Sequence, residues 1–72
     1  MPGTMTPEYT RKLIAAAGGN KAFCLRIFNE YSLKLARRVD AWRNRGIPPR
    51  VQLDKRNDLS RLDTYARRRG LM

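Results

Sequence analysis

The sequence RRVDAWRNRGIPPRV, residues 37–51, contains the only tryptophan of the chain among five arginines. At about 100° per residue on a helix, Leu35, Val39 and Trp42 fall within about 60° of one another. The tryptophan therefore belongs to an apolar stripe. Nearly opposite the stripe lie Lys34, Arg37, Arg38, Ala41, Asn44 and Arg45. The pattern predicts a helix over about 35–45 whose indole is buried and whose guanidinium groups face solvent.

Glycine and proline mark helix ends along the first two thirds of the chain. Gly46 is suited to end the tryptophan-containing helix, and the prolines at 48–49 prevent its continuation. Near the N-terminus, residues 6–8 (Thr-Pro-Glu) predict a helix start. A threonine oxygen can cap free N–H groups there, proline is tolerated at the first helical position, and a carboxylate suits the positive helix end. Glycines at 18–19 predict the end of this first helix.

A second short helix is predicted over 21–28, with Asn20 as its N-cap. Its apolar residues cover most of the circumference, which is typical of a helix packed between two others. Residues 29–32 break the pattern and predict a turn, in which Ser32 is a candidate cap for the next helix.

Two further elements are predicted after the prolines. Val51 and Leu53 indicate a short turn or helical fragment, and a last helix is predicted over about 57–68. Its apolar residues follow at spacings of three and four: Leu59, Leu62, Tyr65 and Ala66. The predicted fold is therefore all-α, a small four- to five-helix bundle. We expect a flexible arm over 1–5 and a single domain over 6–72.

The charge of the chain indicates the chemistry of its partners. Sixteen Lys and Arg residues against six Asp and Glu give a net charge of +10 in 72 residues. Nucleic acid is the commonest acidic partner of a small basic domain, and anionic membrane is second. A chain of this length buries only about 60% of its unfolded surface. Dimerisation would therefore help its stability, and we expect a homodimer.

The composition argues against several classes of protein. The chain has no histidine and a single cysteine, Cys24, so it lacks the ligands of an ordinary zinc site and the base of a serine triad. We expect no enzyme activity, cofactor, metal or small-molecule substrate, and we expect Cys24 to be a buried small hydrophobe. One cysteine suits a reducing cytoplasm. The apolar run at 13–17 is too short for a signal peptide or a membrane span, so a cytoplasmic protein without a membrane partner is expected.

The segment around the tryptophan resembles the Cro-like and related helix-turn-helix repressors of bacteriophages and prophages. Those proteins are similarly small. They tend to carry paired glycines before the second helix and Val-x-x-Trp in the recognition helix, followed by a basic pair, Gly, Ile and Pro. Residues 18–19, 39–42 and 43–48 match that order. The resemblance covers about 13–53 and implies a transcriptional regulator that binds a palindromic operator in double-stranded DNA as a dimer.

The resemblance implies that the recognition helix enters the major groove and that residues around Val39 face the bases. Arginine pairs with guanine, asparagine pairs with adenine, and a small residue permits close approach. The candidate base-contacting residues are Arg37, Arg38, Ala41 and Asn44. The candidate phosphate-contacting residues are Lys34, Arg43, Arg45 and Arg50. The arginines at 67–69 can satisfy the helix dipole or contact phosphate.

One departure and three alternatives qualify this assignment. Between Gly19 and Trp42 lie 22 residues, about five more than the family pattern, and the surplus falls within 29–34. This predicts an extended turn, or an extra helical turn, before the recognition helix. An excisionase-like recombination directionality or architectural factor is the nearest alternative, although those usually carry a winged hairpin. A basic RNA-binding protein would need exposed aromatics, whereas Trp42, Phe23 and Phe28 are expected to be buried. A membrane-lytic helix would be interrupted at 18–19 and 48–49.

Overall fold

A computed structural model describes residues 5–71, which form five helices and no strand. The helices are α1 (Pro7–Ala17), α2 (Asn20–Phe28), α3 (Leu33–Arg45), α4 (Pro49–Asp54) and α5 (Arg56–Arg68). The predicted all-α fold is confirmed. Residues 1–4 of the predicted arm lie outside the described range, and the backbone N–H of Met5 donates to the carbonyl of Ile47 at 3.0 Å. None of the helices in residues 5–71 has the length and apolarity needed to cross a bilayer.

Helix α1 begins and ends where the sequence predicts. The Thr6 hydroxyl accepts a hydrogen bond from the backbone N–H of Tyr9 at 3.2 Å. At the other end Gly18 adopts φ 112°, and the N–H of Gly19 donates to the carbonyl of Ile14 at 3.0 Å. This pair of glycines closes α1 in a Schellman-type turn that satisfies its last carbonyls.

Gly18→Ala is expected to lower the free energy of unfolding by about 1–3 kcal/mol, because an alanine at positive φ is strained. A Cβ at this position would also lie 3.3 Å from the Cβ of Ala22. Urea denaturation followed by circular dichroism measures the loss. Gly70→Ala is the matched control, since Gly70 also has positive φ but lies near the chain end with nothing within 4 Å of the added Cβ. An equal loss in the two variants would contradict the role of Gly18 between the helices.

The structure corrects the predicted starts of α2 and α3. Asn20 is the first residue of α2 and not its cap, because Gly19 occupies the cap position and supplies no side-chain hydrogen bond. Helix α3 begins at Leu33 and not near Leu35, because the Ser32 hydroxyl accepts the N–H of Leu35 at 3.2 Å and thereby caps the earlier turn. The surplus at 29–34 therefore divides between a four-residue loop over 29–32 and the first residues of α3.

The ends of the last two helices agree closely with those predicted from the sequence. Helix α4 is the short element predicted after the prolines, and Pro49 is its first residue. Helix α5 starts at Arg56, one residue before the predicted position, and ends at Arg68 as expected. Its buried residues lie at spacings of three and four: Leu59, Leu62 and Ala66.

A single apolar core joins four of the helices. It is formed by Leu13, Ile14, Phe23, Cys24, Ile27, Leu35, Val39, Trp42, Ile47, Leu59 and Leu62. The Trp42 side chain is only 8% exposed and Cys24 is fully buried, as predicted. Phe28, which was expected to be buried, is half-buried, and its ring centroid lies 6.0 Å from that of Trp42. Helices α1 and α2 each pack against both α3 and α5, so they form the centre of the bundle.

Candidate nucleic-acid interface

The solvent-facing side of α3 carries a row of basic residues. We refer to it as the α3 basic face, and its members are Lys34, Arg37, Arg38, Ala41 and Arg45, all of them exposed. The first four of these residues, together with the exposed Leu33, line a shallow open depression along the helix. The structure thus brings together most of the residues that the sequence predicts to contact DNA.

No carboxylate neutralises the α3 basic face. Within residues 5–71, the ion pairs are Arg11–Glu8 at 3.9 Å and Arg67–Asp63 at 3.0 Å, and neither involves α3. Asp40 is the only acid on α3, and its Oδ1 accepts a hydrogen bond from the Asn20 amide at 2.6 Å. Asp40 therefore lies against α2 and forms no ion pair with the basic residues of α3 in the described part of the chain.

Two further residues of α3 that are predicted to contact DNA, Arg43 and Asn44, form hydrogen bonds within the protein. The Arg43 guanidinium donates to Oδ1 of Asn20 at 3.0 Å, so it is held towards α2 although it is exposed. The Asn44 amide is exposed and makes only a long contact, 3.5 Å, with the carbonyl of Asp40. The last predicted phosphate contact, Arg50, is exposed on α4.

A polar network fixes α3 against the two preceding helices, and the sequence analysis did not predict it. In addition to the Asn20 contacts, the Arg11 guanidinium donates to the backbone carbonyl of Arg43 at 2.7 Å. These residues are 20–32 positions apart, as the contacting pairs show. Their local patterns are those of a helix cap and two solvated basic residues, so no local signal could have revealed the network. The network joins α1, α2 and α3 by hydrogen bonds and so holds the helix that carries the basic face in place.

The buried cysteine has no features of a reactive site. Burial raises the pKa of the Cys24 thiol, and a thiol that stays protonated is a poor nucleophile and metal ligand. The described part of the chain thus offers the α3 basic face as its candidate site. Comparison with known proteins gives no match: no family model, curated protein or solved structure resembles this chain closely enough to be identified.

Proposed function

We propose that this protein is a transcriptional regulator that binds double-stranded DNA, in the manner of Cro-like phage and prophage repressors. Helix α3 enters the major groove, and α2 lies across the phosphate backbone. The proposed base contacts are Arg37, Arg38, Ala41 and Asn44, and the proposed phosphate contacts are Lys34, Arg43, Arg45 and Arg50. Repression follows when the bound protein occupies a promoter and competes with polymerase in the bacterial cytoplasm.

One observation carries this proposal. Helix α3 is divided into a buried apolar stripe, with Trp42 at 8% exposure, and a basic face that no carboxylate neutralises over residues 5–71. An ordinary solvated helix face usually carries charges of both signs. The only acid of α3, Asp40, is instead hydrogen-bonded to Asn20 of α2. Small Ala41 in the middle of the face leaves room for a base edge to approach.

The connection between α2 and α3 also supports a helix-turn-helix. Its four residues, 29–32, agree with the three- to four-residue turn that such motifs use. Residues 5–71 contain no strand, which favours a repressor over an excisionase-like factor with a winged hairpin. A two-fold dimer would place two copies of α3 about one helical turn of DNA apart, on a palindromic operator.

Binding to duplex DNA across a salt series tests the proposal. The purified protein is titrated into DNA from upstream of its own gene and into a scrambled duplex, and fluorescence anisotropy reports the affinity. With four phosphate contacts per protomer, we expect log K to fall with log salt concentration at a slope of about −3.6 for each protomer bound. Preference for the upstream duplex should persist at each salt concentration. Equal affinity for the two duplexes throughout the series would refute sequence-specific binding.

A further inference from the structure

A second basic surface lies on the solvent-facing side of α5. We refer to it as the α5 basic face. It comprises Arg61 and Arg68 of α5, Arg69 at the C-terminal end of α5 and Arg26 of the adjacent α2, all of them exposed. At about 100° per residue, Arg61 and Arg68 lie about 20° apart on the helix. Both point away from the buried Leu62 side of α5. Of the arginines at 67–69, for which both helix capping and phosphate contact are predicted as roles, Arg68 and Arg69 belong to this surface and Arg67 does not.

Two of these guanidinium groups converge on one aromatic ring. The Cζ of Arg26 lies 4.4 Å from the ring centroid of Tyr65, and the Cζ of Arg69 lies 5.7 Å from it. The ring attracts each cation, but the two cations repel each other. An anion beside these two cations would reduce their repulsion, and a phosphate matches arginine geometry well.

No acidic side chain supplies that anion within residues 5–71. Asp63, on the other side of α5, is paired with Arg67 at 3.0 Å. It also accepts a hydrogen bond from the Tyr9 hydroxyl. Burial, together with this carboxylate, raises the pKa of Tyr9 to about 12. None of the four arginines of the α5 basic face has an ion-pair partner in the described part of the chain.

The two basic faces lie mainly on helices α3 and α5, which do not contact each other. Over the described lengths of α3 and α5, no Cα atom of one helix lies within 8 Å of a Cα atom of the other. Each helix instead turns its apolar side towards α1 and α2, and so its basic side faces away from them. The smallest dimension of the molecule is 21 Å, whereas the Debye length is about 8 Å at physiological ionic strength. Duplexes held on opposite sides of a body of this thickness would repel each other only weakly.

We propose that the α5 basic face binds the phosphate backbone of a second DNA duplex, so that a single molecule bridges two DNA segments. The inference rests on the proposed DNA binding by the α3 basic face. The second contact is independent of sequence, because arginines that grip phosphates carry no base information. It depends on salt in the same way as the first contact.

Co-capture of two duplexes tests the bridge. A biotinylated duplex is held on beads, the protein is added below the total duplex concentration, and retention of a fluorescent second duplex of unrelated sequence is measured. The wild-type protein should retain the second duplex. Arg61→Gln/Arg68→Gln should reduce retention at least fivefold while changing the affinity for a single duplex by about twofold or less. Arg61→Lys/Arg68→Lys should keep most of the retention, because lysine also contacts phosphate as a point charge.

A matched control removes the same number of charges elsewhere. Lys12 and Arg56 are exposed and belong to neither basic face, so Lys12→Gln/Arg56→Gln should bridge like the wild type. Circular dichroism verifies that each variant is folded. If only the α5 variant loses retention, the second duplex is bound by the α5 basic face and not by net charge alone.

The possible failures are distinguishable. A wild-type protein that binds one duplex but retains no second would overturn the bridge and leave the proposed function intact. Retention that survives in the glutamine variant would also overturn it, since a dimer with two α3 faces then suffices. An α5 basic face that binds vesicles of phosphatidylserine and phosphatidylcholine but no duplex would identify a membrane surface instead. Absence of binding to any duplex would overturn both proposals.

Discussion

Trp42→Ala is expected to lower the free energy of unfolding by about 3–5 kcal/mol, the range for truncating a large buried aromatic side chain. The indole is 8% exposed in a core that joins four helices. It also lies beside the Phe28 ring at 6.0 Å between centroids, and such aromatic pairs contribute beyond their buried area. A chain of 72 residues has a total stability of only about 4–11 kcal/mol. The variant should therefore lose a large part of its stability and unfold at a much lower urea concentration than the wild type.

Urea denaturation followed by far-ultraviolet circular dichroism measures this loss without requiring tryptophan fluorescence. Leu33→Ala is the matched control on the same helix, since Leu33 is 67% exposed, and such a surface change should stay within about 0.5 kcal/mol. Trp42→Phe should lose less than Trp42→Ala because it retains an aromatic ring. A loss below about 1 kcal/mol in Trp42→Ala would show that the indole is not a core residue, and α3 would then have to be oriented differently.

Arg37→Ala/Arg38→Ala is expected to abolish most of the preference for the specific duplex over the scrambled duplex. If each arginine reads a guanine, each lost contact reduces the discrimination by about 1–3 kcal/mol. Neither residue pairs with a carboxylate within residues 5–71, so the substitution should not expose an unpaired acid or destabilise the fold. Anisotropy titrations with both duplexes, at two salt concentrations, measure the effect.

The control for this variant is Lys12→Ala/Arg56→Ala, which removes two charges outside both basic faces. It should weaken binding to the two duplexes slightly and equally. If Arg37→Ala/Arg38→Ala also weakens both equally, and reduces the salt slope by about 1.8 per protomer, the two arginines contact phosphates. In that case other residues of α3 would read the bases, and the proposal that the protein binds DNA would stand.

Much of the fold can be predicted from local sequence, because helix caps, glycine stops and apolar spacing each depend on only a few neighbouring residues. The Thr6 cap, the glycines at 18–19 and the buried spacing of Leu35, Val39 and Trp42 are each satisfied within one or two helical turns. The start of α3 was misplaced because the exposed Leu33 does not fit the apolar stripe. Its position is decided by the hydroxyl of Ser32, which hydrogen-bonds three residues ahead.

The candidate site was predictable only as a set of residues on one helix face. Helical periodicity indicates that Arg37, Arg38 and Ala41 share a side, and they do line one depression. Periodicity gives no information on the partner of Asp40, the only acid on α3. The Asn20 amide that engages it is 20 residues away in the chain, and only the packing of α2 against α3 brings the two together. The Arg26–Tyr65 contact is non-local in the same way.

The contacts from Arg11 and Asn20 to α3 have a thermodynamic consequence for any polyanion that docks there. They fix the helix axis before an encounter, with hydrogen bonds of 2.6–3.0 Å to α1 and α2. Association then requires ordering of the arginine side chains, at about 0.5–1.5 kcal/mol each, without reorganisation of the backbone. The heat capacity change on complex formation should accordingly be small, unlike that of a basic segment which folds as it binds.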